Sequence, residues 1–554
     1  MAEVKTYGAR LALLVALLGT AGVGAQRGQP TPAAPRKIVQ PPRLVVFLVV
    51  DQMRADYINL YGHQWTKGLR RLVDTGAYFP LAAYPYSYTV TCAGHATIGT
   101  GTYPAKHGMI GNEWYDRERQ RNVPCTEDPA LTSVPFGGTT GSEHHGPTRL
   151  AWLTFADELK LQARRPPKIV SISLKARSAI TFAGRPSPTT YAMWLEESTG
   201  SWATSSAYAS APWPVVNAYV QAHPVFAEYG KVWDRAKPAS TYLFSDTGPN
   251  EMAPAAFPHP VASKSGKPDS EFITRWRRSP MSDRYVGQLA QHLARELKLG
   301  QSPGTDLLSV SFSATDVVGH EYGPRSHEVQ DILIKVDEQI GELLTALDQL
   351  VGRDRYVVAL TSDHGVALVP EQDENVVAGS GRMSSTAIRT MINTAIESAI
   401  GPGTHVTART GPNVYLAPGV LSRLLSTAGA RETVTKAIES FEGLSRAYWA
   451  PDLASGAATD DEILRAARLS YMPGRSGDLM VIADPYWMAQ ATGTTHGTPY
   501  DYDQRVPLLF AGAGIKPGRY LVTASPADIA PTFGFLVGIT LGHADGHVRV
   551  EAIR

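Results

Sequence analysis

The stretch "LVVFLVVD", Leu44 to Asp51, is seven apolar residues closed by a carboxylate. A half-buried strand alternates apolar and polar side chains. An unbroken apolar run of this length marks a strand covered on both faces, as in a parallel sheet. The pattern returns in "KIVSISLK" (Lys168 to Lys175), "DLLSVSFSATD" (Asp306 to Asp316), "RYVVALTSDHG" (Arg355 to Gly365), "DLMVIADP" (Asp478 to Pro485) and "VPLLFAGAG" (Val506 to Gly514). Helical periodicity separates several of these runs: "TKGLRRLVDTG" before Ala77, "LTFADELKLQA" before Arg164, and Val329 to Leu350. Strand alternating with helix predicts an α/β fold with a doubly wound, mostly parallel sheet flanked by helices. Two regions depart from the alternation, at about 178–300 and 370–475. The first holds Trp194, Trp202, Trp213 and Trp233 and a hairpin-like "EESTG". Both are expected to be insertions in one domain spanning 43–554, forming a cap over the C-terminal edge of the sheet, with the tryptophans as core.

The bulk numbers fit an ordinary globular chain. Of 554 residues, 43% are hydrophobic and 19% charged, and 52 basic against 51 acidic residues leave a net charge of +1. No basic run suggests a nucleic-acid-binding surface. At the N-terminus, Lys5 and Arg10 precede the apolar run Leu11 to Gly24, and Val23 and Ala25 form a small-x-small cleavage site. This is the pattern of a signal peptide over 1–25. The run falls short of the ~20 residues a spanning helix needs, so the mature chain is expected to have no membrane span and to be periplasmic or secreted. Five prolines between Gln26 and Pro42 make an extended linker. The two cysteines, Cys92 and Cys125, are a possible disulfide in an oxidising compartment. A monomer is expected.

In open α/β sheets ligands bind beyond the carboxyl ends of the strands. Asp51, Lys175, Asp316 and Asp363 all stand at such ends. Asp316 and His320, four apart in "ATDVVGHEYG", share one helical face and make half of a zinc site. Asp363 and His364 are adjacent in "TSDHG", and His496 lies in "TTHGTP". Three aspartates and three histidines suit two metal ions with oxygen and nitrogen ligands. Two such ions can clamp the attacking and leaving oxygens of a displacement at phosphorus. The segment "SYTVTCAGHATIGTG", Ser87 to Gly101, offers Thr91, Cys92 and His95 as reactive groups. A threonine hydroxyl is a weak nucleophile at its free pKa and needs activation, which a metal supplies. His95 is expected to pack or to make a backbone hydrogen bond.

The motifs "VVDQMRADY", "TVTCAGHATIGTGTYPAKHGMIGN", "SLKARSAI", "SATDVVGHEYGP", "LTSDHG" and "THG", in this order, resemble those of the alkaline phosphatase superfamily. The narrower resemblance is to the secreted bacterial alkaline phosphatases with a threonine nucleophile, relatives of the nucleotide pyrophosphatases/phosphodiesterases. It covers about Leu44 to Ile539. It implies two Zn2+ per chain, one held by Asp316, His320 and His496, the other by Asp51, Asp363 and His364. It also implies Thr91 as nucleophile and ligand of the second ion, through a covalent phospho-threonine. Asn112 would bind a non-bridging phosphate oxygen. Lys175 and Arg177 match a pair of the monoesterase branch, which points to small phosphate monoesters as substrates. A monoester carries more negative charge than a diester, and two cations favour it. The alternative is a phosphodiesterase/nucleotide pyrophosphatase. A sulfatase is excluded because Gly94 and Ala96 occupy the defining positions after Cys92. A Cys92–His95 hydrolase lacks a third orienting group.

Overall fold

The computed structural model describes residues 40–372 and 379–554. The expected signal peptide at 1–25 and nearly all of the expected linker at 26–42 lie outside the described residues. Leu44–Val50 (β1) is buried at every position. It pairs in parallel with Asp306–Phe312 and with Tyr356–Thr361. Its side chains divide between two cores. Leu44, Val46, Leu48 and Val50 enter one apolar cluster, and Val45, Phe47 and Val49 the other. That division is why the run is apolar throughout: each face of the strand meets its own layer of helices.

Five parallel strands form the centre of a ten-stranded sheet. With Ile169–Ser173 as β2, Thr190–Leu195 as β3, Asp306–Phe312 as β4 and Tyr356–Thr361 as β5, their order is β5-β1-β4-β2-β3. Antiparallel strands continue the sheet on both sides: Leu508–Gly512 beyond β5, and Trp202–Ser205 beyond β3. On one face pack Pro280–Glu296 and His327–Leu350, which contribute Leu289, Leu293, Ile332 and Val336 to the first cluster. On the other face Phe47 meets Phe155, Phe182 and Phe533 at ring-centroid distances of 5.6, 5.2 and 5.0 Å. Truncating a phenylalanine packed in this way costs about 3–5 kcal/mol.

The structure shifts two expectations. The region read as an insertion from residue 178 begins inside the sheet, since β3 and Trp202–Ser205 belong to it. "EESTG" is the turn between these two strands, and Trp194 and Trp202 are core residues of the sheet. The run "DLMVIADP" is a strand, Leu479–Ala483, but of a separate four-stranded sheet with Val406–Thr410, Asn413–Leu416 and Leu444–Trp449. Its apolar run is as continuous as those of the main sheet, so composition did not distinguish them. Pairing did: it is antiparallel to both neighbours. Helices over Ser385–Ile400 and Ala430–Glu439 close the core of this lobe.

Both extra regions reach the segments at the carboxyl ends of the parallel strands. In the lobe, Ser470 Oγ accepts from the backbone of Ser87 and Tyr88, each at 3.0 Å. In the first region, Met252 N donates to Glu321 O and Asn250 O accepts from Gly493 N.

Candidate active site

Asp51 follows β1 directly, and its N–H donates to Phe312 O of β4 at 2.9 Å. Asp363 stands two residues past β5, Lys175 two past β2, and Asp316 four past β4. Parallel strands end on one side of the sheet, so the four charges meet there. Lys175 Nζ lies 2.6 Å from Asp51 Oδ2 and 2.6 Å from Asp316 Oδ2.

Thr91 is the first residue of the helix Thr91–Thr100 (α1), whose ten residues are all buried. A helix buried on every side must be built mostly of small or apolar side chains, and "TCAGHATIGT" is, with His95 the one exception. Gly94 is required by a close approach, because a Cβ there would collide with the carbonyl of Asp363. Thr91 Oγ1 sits 3.5 Å from His364 Nε2. Cys92 N, in the first turn, donates to Asn112 Oδ1 at 2.8 Å. That bond occupies the amide oxygen of Asn112, and its NH2 makes no hydrogen bond among the described residues. Cys92 itself is bridged to Cys125, which ties α1 to the strand pair after Asn112.

The three histidines are held alike. Nδ1 of His320 bonds to Thr494 O, Nδ1 of His496 to Thr89 O and Nδ1 of His364 to Gly365 O, at 2.8, 2.8 and 2.9 Å. A carbonyl only accepts, so each Nδ1 carries the proton, and Nε2 of the neutral ring is left with the lone pair. This is how metal-binding histidines are oriented. The Nε2 atoms face carboxylates: His320 and His496 lie 3.2 and 3.7 Å from Asp316 Oδ1. His364 lies 3.3 Å from Asp363 Oδ2 and 3.6 Å from Asp51 Oδ1. The rings of His364 and His496 stack at 3.5 Å, so neither tolerates a charge easily. Burial, and then the neighbouring histidines, hold His496 well below the ordinary imidazole range. Burial lowers His364 as well.

The donor set fits cations. Asp316, His320 and His496 offer ligand atoms within 4.8 Å of one another, and so do Asp51, Asp316 and His364. Asp51 Oδ1 and Asp363 Oδ2 are buried without a hydrogen-bond partner among the described residues. Burial, with repulsion from Asp316 and Asp363, drives the Asp51 carboxyl far above its usual range. Three carboxylates face one ammonium here, and such an excess of buried negative charge is costly unless cations neutralise it. Two divalent ions would do so and would reverse the upward push on Asp51. Three carboxylates and three imidazoles suit zinc among the common divalent metals.

Asp283 and Asp503, which brace this site, were not singled out from the sequence, and His95 makes more bonds than the one expected of it. His95 does bond to the backbone, at Thr91 O, but its Nδ1 also lies 3.1 Å from Asp363 Oδ2, and its Nε2 bonds Ser311 Oγ. The spacing of four from Thr91 along one helix was the available signal. Asp283 accepts from Ser313 N at 2.8 Å and from Ala314 N. It thereby holds the start of the helix Ala314–Tyr322 (α2), which carries Asp316 and His320. Asp503 accepts from Thr498 N and Oγ1 at 2.9 and 2.7 Å and so braces the His496 loop. Burial pushes both carboxyls up to about 7. Arg177 Nε is buried without a partner among the described residues.

A family model described as type I phosphodiesterase / nucleotide pyrophosphatase matches residues 45–503. The chain is similar to alkaline phosphatase PhoV of Synechococcus elongatus, at 30% identity over 96% of each chain. It is similar to alkaline phosphatase PafA of Elizabethkingia meningoseptica, at 31% identity over 94% of this chain and 96% of the other. The crystal structure of wild-type PafA superposes with a TM-score of 0.82 at 28% identity, covering 93% of this chain and 100% of that one. A PafA variant substituted at a threonine, an asparagine, a lysine and an arginine superposes at 0.85 with 29% identity and the same coverage.

Proposed function

The chain belongs to the type I phosphodiesterase / nucleotide pyrophosphatase family, as one of its alkaline phosphatases, and we propose that it hydrolyses small phosphate monoesters with two zinc ions through a phospho-threonine. The observation that carries the proposal is the position of Thr91. Its hydroxyl stands at a helix start 3.5 Å from Nε2 of His364, which shares a cluster of converging ligand atoms with Asp51 and Asp316. Helix starts favour anions such as phosphate. The four residue types changed in the PafA variant recur here with the same spacing, 21 residues from Thr91 to Asn112 and two from Lys175 to Arg177.

Asp316, His320 and His496 would hold one ion, and Asp51, Asp363, His364 and Thr91 the other. Bound there, the ions supply deprotonation of the threonine and water nucleophiles and neutralise charge on the leaving oxygen. Thr91 Oγ1 attacks phosphorus; a Thr91 O–P bond forms and the P–O bond to the leaving group breaks. Water then attacks phosphorus, the Thr91 O–P bond breaks, the proton lost by the water passes to the Thr91 oxygen, and phosphate is released. The free NH2 of Asn112 and the cations Lys175 and Arg177 meet the non-bridging oxygens, where charge-assisted hydrogen bonds favour the dianion. These two cations weigh against the alternative, a phosphodiesterase, which the family's description favours.

The chain is proposed to be exported, to the periplasm or the medium, and to act as a monomer. No helix among the described residues is long and apolar enough to cross a membrane, and the Cys92–Cys125 bridge suits an oxidising compartment. The test compares an aryl phosphate monoester with the matching diester, with metal content measured on the same sample. Faster diester hydrolysis, or activity without bound metal, overturns the proposal.

A further inference from the structure

Gln52 adopts a φ of 66°. Four other non-glycine residues do likewise among the described residues (Gln120, Asn250, Lys298 and Tyr486), and none of them is buried; Gln52 is fully buried. A long side chain is strained in the left-handed region, and a buried position gives it no solvent to satisfy its amide. Strain retained at a buried position points to a function for that conformation.

What the conformation achieves is visible in its bonds. Gln52 N donates to Asp363 Oδ1 at 3.1 Å, and Gln52 Nε2 donates to Asp316 Oδ1 at 2.7 Å. One residue thus holds a carboxylate from each candidate half of the metal site, and it directly follows Asp51. The amide must face Asp316 through its NH2, because its oxygen would repel a carboxylate. Its Oε1 has no hydrogen-bond partner among the described residues, so the side chain is not placed there to satisfy itself. The Asp316 helix makes room for it: a Cβ on Gly319 would collide with Gln52 Oε1.

We propose that Gln52 is a positioning residue that keeps the two halves of the metal site in register by holding Asp316 relative to Asp363. The proposal rests on the two-metal reading above. With the donor removed, Asp316 Oδ1 loses its amide partner while Lys175 still grips Oδ2, and the pair of ions is held less well. Residues that orient metal ligands from behind typically contribute about 10- to 100-fold in metal affinity.

The test uses the full mature chain as wild type, Gln52→Gly and Gln52→Met, each stripped with a chelator and titrated with Zn2+ against a chromophoric competitor. The stripped proteins are also melted. Glycine relieves the left-handed backbone, so the Gln52→Gly protein should melt no lower than wild type while its zinc affinity falls about 10- to 100-fold. A merely structural role would move these two readouts together. Gln52→Met fills the same space without a donor and should show the same loss of affinity, which separates the donor from the volume. Wild type that binds two zinc ions, with either variant binding them within threefold of wild type, overturns this proposal alone. Wild type that takes up no zinc overturns it together with the two-metal reading.

Discussion

The two candidate halves of the site differ in depth. Asp51, Asp363 and His364 have no exposed side-chain surface, and Thr91 is 1% exposed. In the other half, the His320 side chain is 29% exposed while that of Asp316 is 7%. The deep half contains the proposed nucleophile, and the other half reaches solvent through His320, while His496 is only 6% exposed. A covalent step wants its nucleophile dry and rigid, because electrostatic stabilisation is stronger away from water. The leaving group and the incoming water need access. The difference in burial therefore matches the division of labour in a double displacement.

The largest effect should fall on the deep half. Thr91→Ala should lower turnover on the order of 10⁴-fold or more, with no phosphorylated enzyme trapped on acid quench. Cys92→Ala should cost only stability, about 4 kcal/mol for a bridge closing a loop of this length, read by denaturant melts. Activity lost in a folded Cys92→Ala protein and kept in Thr91→Ala would reverse the roles.

Next come the two cations. The double change Lys175→Ala with Arg177→Ala should slow monoester hydrolysis by about 10²- to 10³-fold and diester hydrolysis far less. Equal losses on both substrates would remove the basis for monoester preference. Chelation should separate the halves: the outer ion should leave first, so that metal content measured against time falls in two phases. A single phase would show that burial does not distinguish them.

The bracing carboxylates should matter less. Asp283→Ala should weaken the half carried by α2, and Asp503→Ala the His496 loop, by about 10- to 100-fold in zinc affinity. Neither should move the deep ion as strongly.

The effect that vanishes at neutral pH concerns a residue outside both halves. Burial, with Arg475 nearby, lowers the His107 pKa from 6.5 to about 3. Its Nδ1 accepts from Met109 N and its Nε2 bonds Thr97 Oγ1, so the neutral ring is fully used. Above pH 6.5 the ring is neutral folded and unfolded, and contributes no pH dependence. Between pH 6.5 and about 3 the unfolded chain binds a proton that the folded chain refuses. This one group should therefore lower stability by about 1.4 kcal/mol per pH unit as the pH falls. His107→Gln should flatten that part of the stability profile, and an unchanged slope would contradict it.

Much of this was legible in the chain itself. An apolar run needs two covered faces, so Leu44–Val50 announced a parallel sheet. A spacing of four places Asp316 and His320 on one helical turn, and carboxylates at strand ends fall on one side of such a sheet. These are local properties: periodicity, burial and helical spacing are determined by neighbouring residues. What joins segments far apart was not legible. Asp283 meets Ser313, Asp503 meets Thr498 and Gln52 meets Asp316 through single hydrogen bonds that leave no period in the sequence. The Leu479–Ala483 run could not reveal its sheet, because strand partners are chosen by packing across the whole chain. The sequence by itself determined the class of fold and the chemical types at the site. Only the tertiary structure decided which oxygen faces which nitrogen, since hydrogen bonds act over about 3 Å and only folding brings distant residues that close.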